Sequence, residues 1–256
     1  MIRKRHSRQA GGFTKRHKRR AGGFTLIEVL ISMSVGMLTM GMALSTFLMG
    51  LRMMYKDSVR LETNASLRYF MAHMSKETLD SSEFHIFPSY TLFDGSLDLA
   101  TETSPLQTDA YGASIAHGDC VVLVTRTAVT SGAAVRQFRI YYRVATVANR
   151  NNDTPLRYYE STDYGQSSTQ TNLTTLLNAV NLNSNPALAG SRQLTARAKG
   201  RRIGSTADFH PVFCSEAPTV TATNESFSIN VEFINGTTAN NLLSSSSFNY
   251  TISPRR

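Results

Sequence analysis

The longest apolar pattern in the chain runs from Val29 to Leu51, where no residue is ionisable. At 1.5 Å rise per residue, roughly 20 such residues cross the hydrocarbon core of a bilayer, so the segment predicts one membrane-spanning helix. Past Leu51 the pattern turns amphipathic. Leu67, Phe70, Met71 and Met74 fall at i, i+3, i+4 and i+7, with Arg68, His73, Lys76 and Glu77 as polar neighbours. This spacing predicts a helical stem reaching Ser81 or Ser82, with one face packed on a globular head. Met71 and Met74 read as packing residues and not as a metal box. Gly36 and Gly41 each lower helix propensity by roughly 1 kcal/mol relative to Ala and suit either local unwinding or close helix contact.

Beyond the stem the period changes from helix to strand. Cys120 to Arg126 is a short apolar strand, and Phe138, Ile140, Tyr142 and Val144 alternate with Arg139, Tyr141 and Arg143 in the next. Ser131-Gly132-Ala133-Ala134 between them predicts a hairpin. Phe227, Ile229, Val231 and Phe233 alternate with Ser228, Asn230 and Glu232, followed by an Asn235-Gly236 turn, and a final strand is expected over 248–252. The polar interval 149–204 predicts surface excursions with one short helix, Leu173 to Val180. The fold class is therefore α+β: a long N-terminal helix packed on an antiparallel β-sheet head. The expected organisation is 1–23 leader, 24–51 membrane helix, 52–83 stem and 84–256 extracytoplasmic head, the last large enough for one core.

Charge changes the reading of the N-terminus. Residues 1–23 hold nine of the chain's 27 Lys and Arg and none of its 18 Asp and Glu, so the residues from Phe24 onward carry 18 bases against 18 acids. The sequence pI of about 9.8 thus belongs to the leader. Clustered bases beside an apolar span hold that end in the cytoplasm and send the rest of the chain outside. The leader also repeats itself. Lys4 to Thr14 is followed directly by Lys15 to Thr25, identical at nine of eleven positions, so Gly12-Phe13 duplicates Gly23-Phe24. Only the second copy leads into Leu26-Ile27-Glu28 and the apolar run.

Glu28 does not fit a plain anchor, because a carboxylate near hydrocarbon costs a few kcal/mol unless it is paired or reaches the interface. Hydrolysis after Gly23 would supply a partner, the new Phe24 amine four residues away, and a neighbouring chain would present the same amine. Gly23-Phe24-Thr25-Leu26-Ile27-Glu28 resembles the N-terminal signature of type IV pilins and type II secretion pseudopilins. That resemblance implies cleavage between Gly23 and Phe24 by a prepilin peptidase, N-methylation of Phe24, and pairing of Glu28 during assembly with other pilin or pseudopilin subunits. It implies an inner-membrane, single-pass precursor with a periplasmic head, passing into a pilus or pseudopilus filament. There is no proline between Phe24 and Phe87, whereas many major pilins carry a helix proline near the position of Ser45. With the extended head, this points to a minor subunit resembling W-class minor pilins or J-class minor pseudopilins. The plain alternative is a single-span anchor with a chance interfacial glutamate.

The remaining chemistry is sparse. Cys120 and Cys214 are the whole thiol inventory; they read either as a periplasmic disulfide or as two buried thiols. Cys120 beside His117 lacks a visible base and orienter set, and the six histidines show no metal-ligand spacing, so no catalytic residue, metal or cofactor is expected. Arg192, Arg197, Lys199, Arg201 and Arg202 form an acid-free cluster, a candidate loop for an anionic partner such as nucleic acid in a DNA-uptake role. A solvated loop is the blander and favoured reading, since no aromatic is interleaved for stacking bases.

Overall fold

The computed structural model describes residues 23–87, 107–108, 114–128, 132–144, 152–180, 190–200, 211–215, 226–236 and 244–254. The leader to residue 22, including the duplicated Gly12-Phe13 site, lies outside them, as do Arg201 and Arg202. The chain divides into two units, Met1–Arg52 and Met53–Arg256.

The described part of the first unit is helical. Helix α1, Leu26–Leu79, begins here and is unbroken through Gly36 and Gly41. Every residue of α1 up to Ser58 is exposed, the first buried one being Val59. A Cβ at Gly36, Gly41 or Gly50 would meet nothing within 4 Å. The close contact that small residues permit is therefore not made among the described residues. Ser34, Thr39 and Thr46, which interrupt the apolar run, donate their hydroxyls to the carbonyls of Ile31, Gly36 and Met42 at 2.8, 2.9 and 3.0 Å. Those groups are thus satisfied without water, as hydrocarbon surroundings require.

The second unit joins the remainder of α1 to an antiparallel sheet. Its described strands are β1 (Glu83–Phe87), β2 (Gln107–Thr108), β3 (Ser114–Gly118), β4 (Cys120–Arg126), β5 (Val135–Arg143), β6 (Thr154–Glu160), β7 (Arg192–Gly200), β8 (Phe213–Ser215), β9 (Phe227–Asn235) and β10 (Ser244–Ile252). The order is β1-β4-β5-β6-β7-β9-β8-β3-β2, with β10 added to β9. The β4–β5 hairpin closes near Gly132, whose φ of 82° lies in the left-handed region that glycine adopts without Cβ strain.

Both faces of the sheet are covered. On one, Leu67, Phe70, Met71 and Met74 of the stem pack against Val121, Leu123, Tyr141, Leu156 and Phe233. On the other, α2 (Leu173–Val180) lays Leu173, Leu177 and Val180, spaced i, i+4 and i+7, over Val122, Phe138, Ile140 and Tyr142. Asn172 caps α2 by accepting the Thr175 amide through Oδ1 at 3.3 Å. Double coverage explains the unbroken apolar run of β4: Val121 and Leu123 face the stem while Cys120, Val122 and Val124 face α2.

The polar interval departs from expectation. It contains α2 as anticipated but also two strands, β6 and β7, in place of surface excursions. Pro155 hides β6 from a strand reading. It sits where the β6–β7 register shifts, a position that spares it a ladder role as donor, while its carbonyl accepts the Val144 amide at 2.8 Å.

Candidate functional site

The N-terminal signature folds into a reciprocal cap. Thr25 precedes the first helical residue, and its carbonyl accepts the first helical bond, from the Val29 amide at 3.2 Å. Its Oγ1 accepts the Glu28 amide at 3.3 Å, while Glu28 Oε2 accepts the Thr25 amide at 3.2 Å and the Thr25 hydroxyl at 3.3 Å. This is a capping box: Thr25 at the N-cap and Glu28 three residues on satisfy each other's otherwise orphaned donors. The carboxylate also sits in the first turn, where the helix dipole favours negative charge. Glu28 thus has a local partner besides the expected Phe24 amine, and Thr-x-x-Glu before an apolar run is the signal for it. Gly23 and Phe24 precede the cap and are both exposed, Phe24 at 83%. Among the described residues nothing lies within 4 Å of a Cβ built at Gly23.

The stem meets the sheet through a polar cluster within an apolar interface. His73 Nδ1 lies 2.6 Å from the Tyr141 hydroxyl, and the His73 ring stacks edge-on to Tyr158 with centroids 4.7 Å apart. Burial pulls the His73 pKa below its usual value, against the opposing pull of Glu77. Burial, with the neighbouring Tyr158 and Glu77, likewise pushes the Tyr141 phenol upward. Glu77 is only 8% exposed and its Oε2 stands 2.6 Å from Arg139 Nε. That contact is an ion pair by distance but is not aligned as a hydrogen bond. His73 and Glu77, read from sequence as polar neighbours of the stripe, are therefore part of the packed interface.

A second buried pair braces the β3–β4 corner. Arg143, wholly buried, donates Nε and Nη2 to the two oxygens of Asp119 at 3.1 and 2.7 Å, and Asp119 Oδ1 also accepts the Val212 amide at 3.3 Å. The bidentate geometry and extra donor are what a buried pair needs to offset desolvation.

The other sequence candidates separate. Cys120 and Cys214 are both buried and are not joined to one another. Cys120 packs in the α2-side cluster, while Cys214 Sγ accepts Asn230 Nδ2 at 3.4 Å and burial pushes its thiol up to about 12. Such a thiol stays protonated and unreactive at neutral pH. The basic cluster, expected on a loop, has Arg192, Arg197 and Lys199 on strand β7. Arg192 stands opposite Tyr158 of β6, and the β6–β7 register slips twice between there and Ala198. Arg197 pairs with Asp153 and donates to the Gly236 carbonyl at 3.0 Å, and Lys199 stands opposite Glu232. Among the described residues no group of three or more His, Cys, Asp or Glu could hold a metal ion.

A long N-terminal helix whose stem packs on an antiparallel sheet is a pilin-like α+β architecture. Residues 18–44 match the prokaryotic N-terminal methylation motif, the signal of type IV pilins and pseudopilins. The match spans Gly23-Phe24, the capping box and the first part of the exposed helix; it does not extend to the head. No curated protein and no solved structure matches the chain. The motif and the helix define a type IV pilin-like subunit, and in general they imply prepilin-peptidase processing and assembly with pilins.

Proposed function

We propose that the chain is a minor structural subunit of a type IV pilus or type II secretion pseudopilus, cut between Gly23 and Phe24 and N-methylated on Phe24. The observation that carries this reading is the methylation motif running into a helix that is exposed along its whole apolar run. Among the described residues α1 is the one helix long and apolar enough to cross a membrane, and its apolar window, of mean hydropathy 1.8, is entirely unburied. Surface of that kind needs lipid or other helices around it. In this reading the precursor lies in the inner membrane with its head in the periplasm, then leaves laterally into a filament. Cleavage places a cationic amine at the positive end of the helix dipole. Glu28, already in the first turn, offsets that charge within the subunit or for a neighbour.

Against the DNA-uptake alternative, Arg197 pairs with Asp153 and Lys199 stands opposite Glu232, while Arg201 and Arg202 lie outside the described residues. The minor position rests on the missing stem proline and the large head. Intact-mass and N-terminal peptide spectrometry, with and without a prepilin peptidase, tests the processing. A peptidase-dependent N-methyl-Phe24 terminus is expected. An uncut Met1 terminus in the presence of the enzyme would return the chain to a simple anchor, and a Phe13 terminus would show that the duplicated site is live.

A further inference from the structure

Between the stem and strands β7 and β9 lies a cavity of about 280 Å³. Its walls are five consecutive residues of β7, Gln193 to Arg197, and three consecutive residues of β9, Phe233 to Asn235; Glu62, Thr63 and Ser66 of α1 form the floor. The β6–β7 register slips twice between Arg192 and Ala198, so side-chain alternation is broken along this run and the cavity borders every residue of it.

The register explains the opening. β7 pairs with β6 from Arg192 to Ala198, but with β9 only from Ala198 to Gly200. Among the described residues, the β9-side edge of β7 from Gln193 to Arg197 therefore has no ladder partner. Across the gap, Ile234 and Asn235 pair outward with Ser245 and Ser244 of β10. The two strands splay and the stem floors the wedge. Asn235 Nδ2 donates to Glu62 Oε2 at 3.1 Å, tying the floor to one bank.

The geometry points to a strand-acceptor slot that receives an extended segment of a neighbouring subunit, hydrogen-bonded through its main chain to the edge of β7. An open strand edge recognises another backbone before it recognises any side chain. Glu62, partnered only by a neutral amide among the described contacts, favours a segment bearing a basic side chain; Arg197 does not compete for it, being engaged by Asp153 and Gly236. A neighbouring subunit is the occupant because a concave slot is not self-complementary. Its contact with another subunit is heterologous, and repeated heterologous contacts generate helical filaments where self-complementary ones close into dimers. This inference rests on the filament reading above.

The test is site-specific photo-crosslinking in cells that carry the peptidase and assembly machinery, using the full chain with a photoreactive residue at Gln193 or Ala196 and a control at exposed Asp163. Adducts to a peptide of a pilin-like subunit, identified by mass spectrometry, are expected from both slot positions and not from Asp163. Ser66→Trp, which fills the floor from a half-buried position, is expected to lower the adduct by about tenfold, the factor that corresponds to 1.4 kcal/mol of lost binding. A chain that is N-methylated and incorporated into filaments, but gives slot adducts only to itself, to an unrelated protein, or at the Asp163 level, overturns the slot and leaves the filament reading intact. Unprocessed chains absent from filaments overturn both. Adducts undiminished by Ser66→Trp, in protein with an unchanged unfolding midpoint, also overturn the slot.

Discussion

Residues 26–52 and 53–79 belong to one helix, and among the described residues its buried positions all fall in the second stretch. The first is apolar on all sides and exposed throughout; the second carries one stripe, Val59, Thr63, Leu67, Phe70, Met71 and Met74, that disappears into the core. Helicity in both comes from good local helix formers, but packing comes from the match between stripe and sheet. An all-round apolar helix has no such match to find within a small head, so its surface is addressed to something else. The contrast separates the part of the chain that stabilises the fold from the part that is available for assembly.

The sharpest test pairs one phenylalanine from each stretch. Phe70 is fully buried against Tyr141 and Phe233, so Phe70→Ala is expected to cost about 3–5 kcal/mol of head stability. Phe47 is 62% exposed, so Phe47→Ala should leave head stability unchanged to within about 0.5 kcal/mol. Urea unfolding of the full chain in detergent, followed by tyrosine fluorescence, reads both. Equal costs would mean that the exposed stretch is packed on the head after all.

Next in size is the ion pair under the stem. Arg139→Ala strips the buried Glu77 carboxylate of its nearest cation, and is expected to cost about 3 kcal/mol, as for other broken buried pairs. The double variant with Glu77→Leu should recover most of that loss, since it removes the stranded charge as well. No recovery in the same urea assay would mean that Arg139 acts through Glu160 instead, which it reaches at 3.3 Å.

Acid should act on the head in two windows. The folded-state pKa of His73 is lowered from 6.5, so its contribution is present above 6.5 and is lost as pH falls through the lowered folded value. Glu83 is also lowered: burial opposes the shift, but hydrogen bonds from His85 and Arg126 hold it down to about 2 against a usual 4.5. Its contribution is present above 4.5 and is lost between there and about 2. Urea midpoints measured against pH should fall in both windows, and His73→Gln should abolish the upper one alone. Persistence of the upper step in His73→Gln would assign it to another group.

Much of this division was legible in the chain. The run Val29 to Leu51, the stripe at Leu67 to Met74, and the strands at Cys120 to Arg126 and Phe227 to Asn235 are patterns of single residues read at one period, and they survive folding. Helix Leu173–Val180 fell where its spacing put it. Strand β6 did not show, because Pro155 signals a break unless one knows that the ladder shifts beside it. β7 did not show because Arg-Gln-Leu-Thr-Ala-Arg has too little apolar alternation; its neighbours in the sheet make it a strand. Periodicity likewise says which side of the stem is apolar, but not that β5 offers Tyr141 and Arg139 to His73 and Glu77. The capping box is written in Thr25-Leu26-Ile27-Glu28, and it gives Glu28 a local role beside the intersubunit one that the resemblance implies.

That double role sets the smallest and most discriminating prediction. Thr25→Ala removes one half of the cap and is expected to cost about 1 kcal/mol at the helix start, seen as faster amide exchange at 26–29 with no change in the urea midpoint of the head. Thr25→Ser keeps the hydroxyl and should keep the protection. Glu28→Gln keeps an oxygen that can accept the Thr25 amide but carries no charge, so it should preserve the cap and fail at whatever step needs a carboxylate. If Thr25→Ala enters filaments normally while Glu28→Gln does not, the cap serves the precursor and charge serves assembly. If both fail equally, the order of the first turn is itself the requirement, because an amine in a neighbouring subunit can be met only by a carboxylate already held in place.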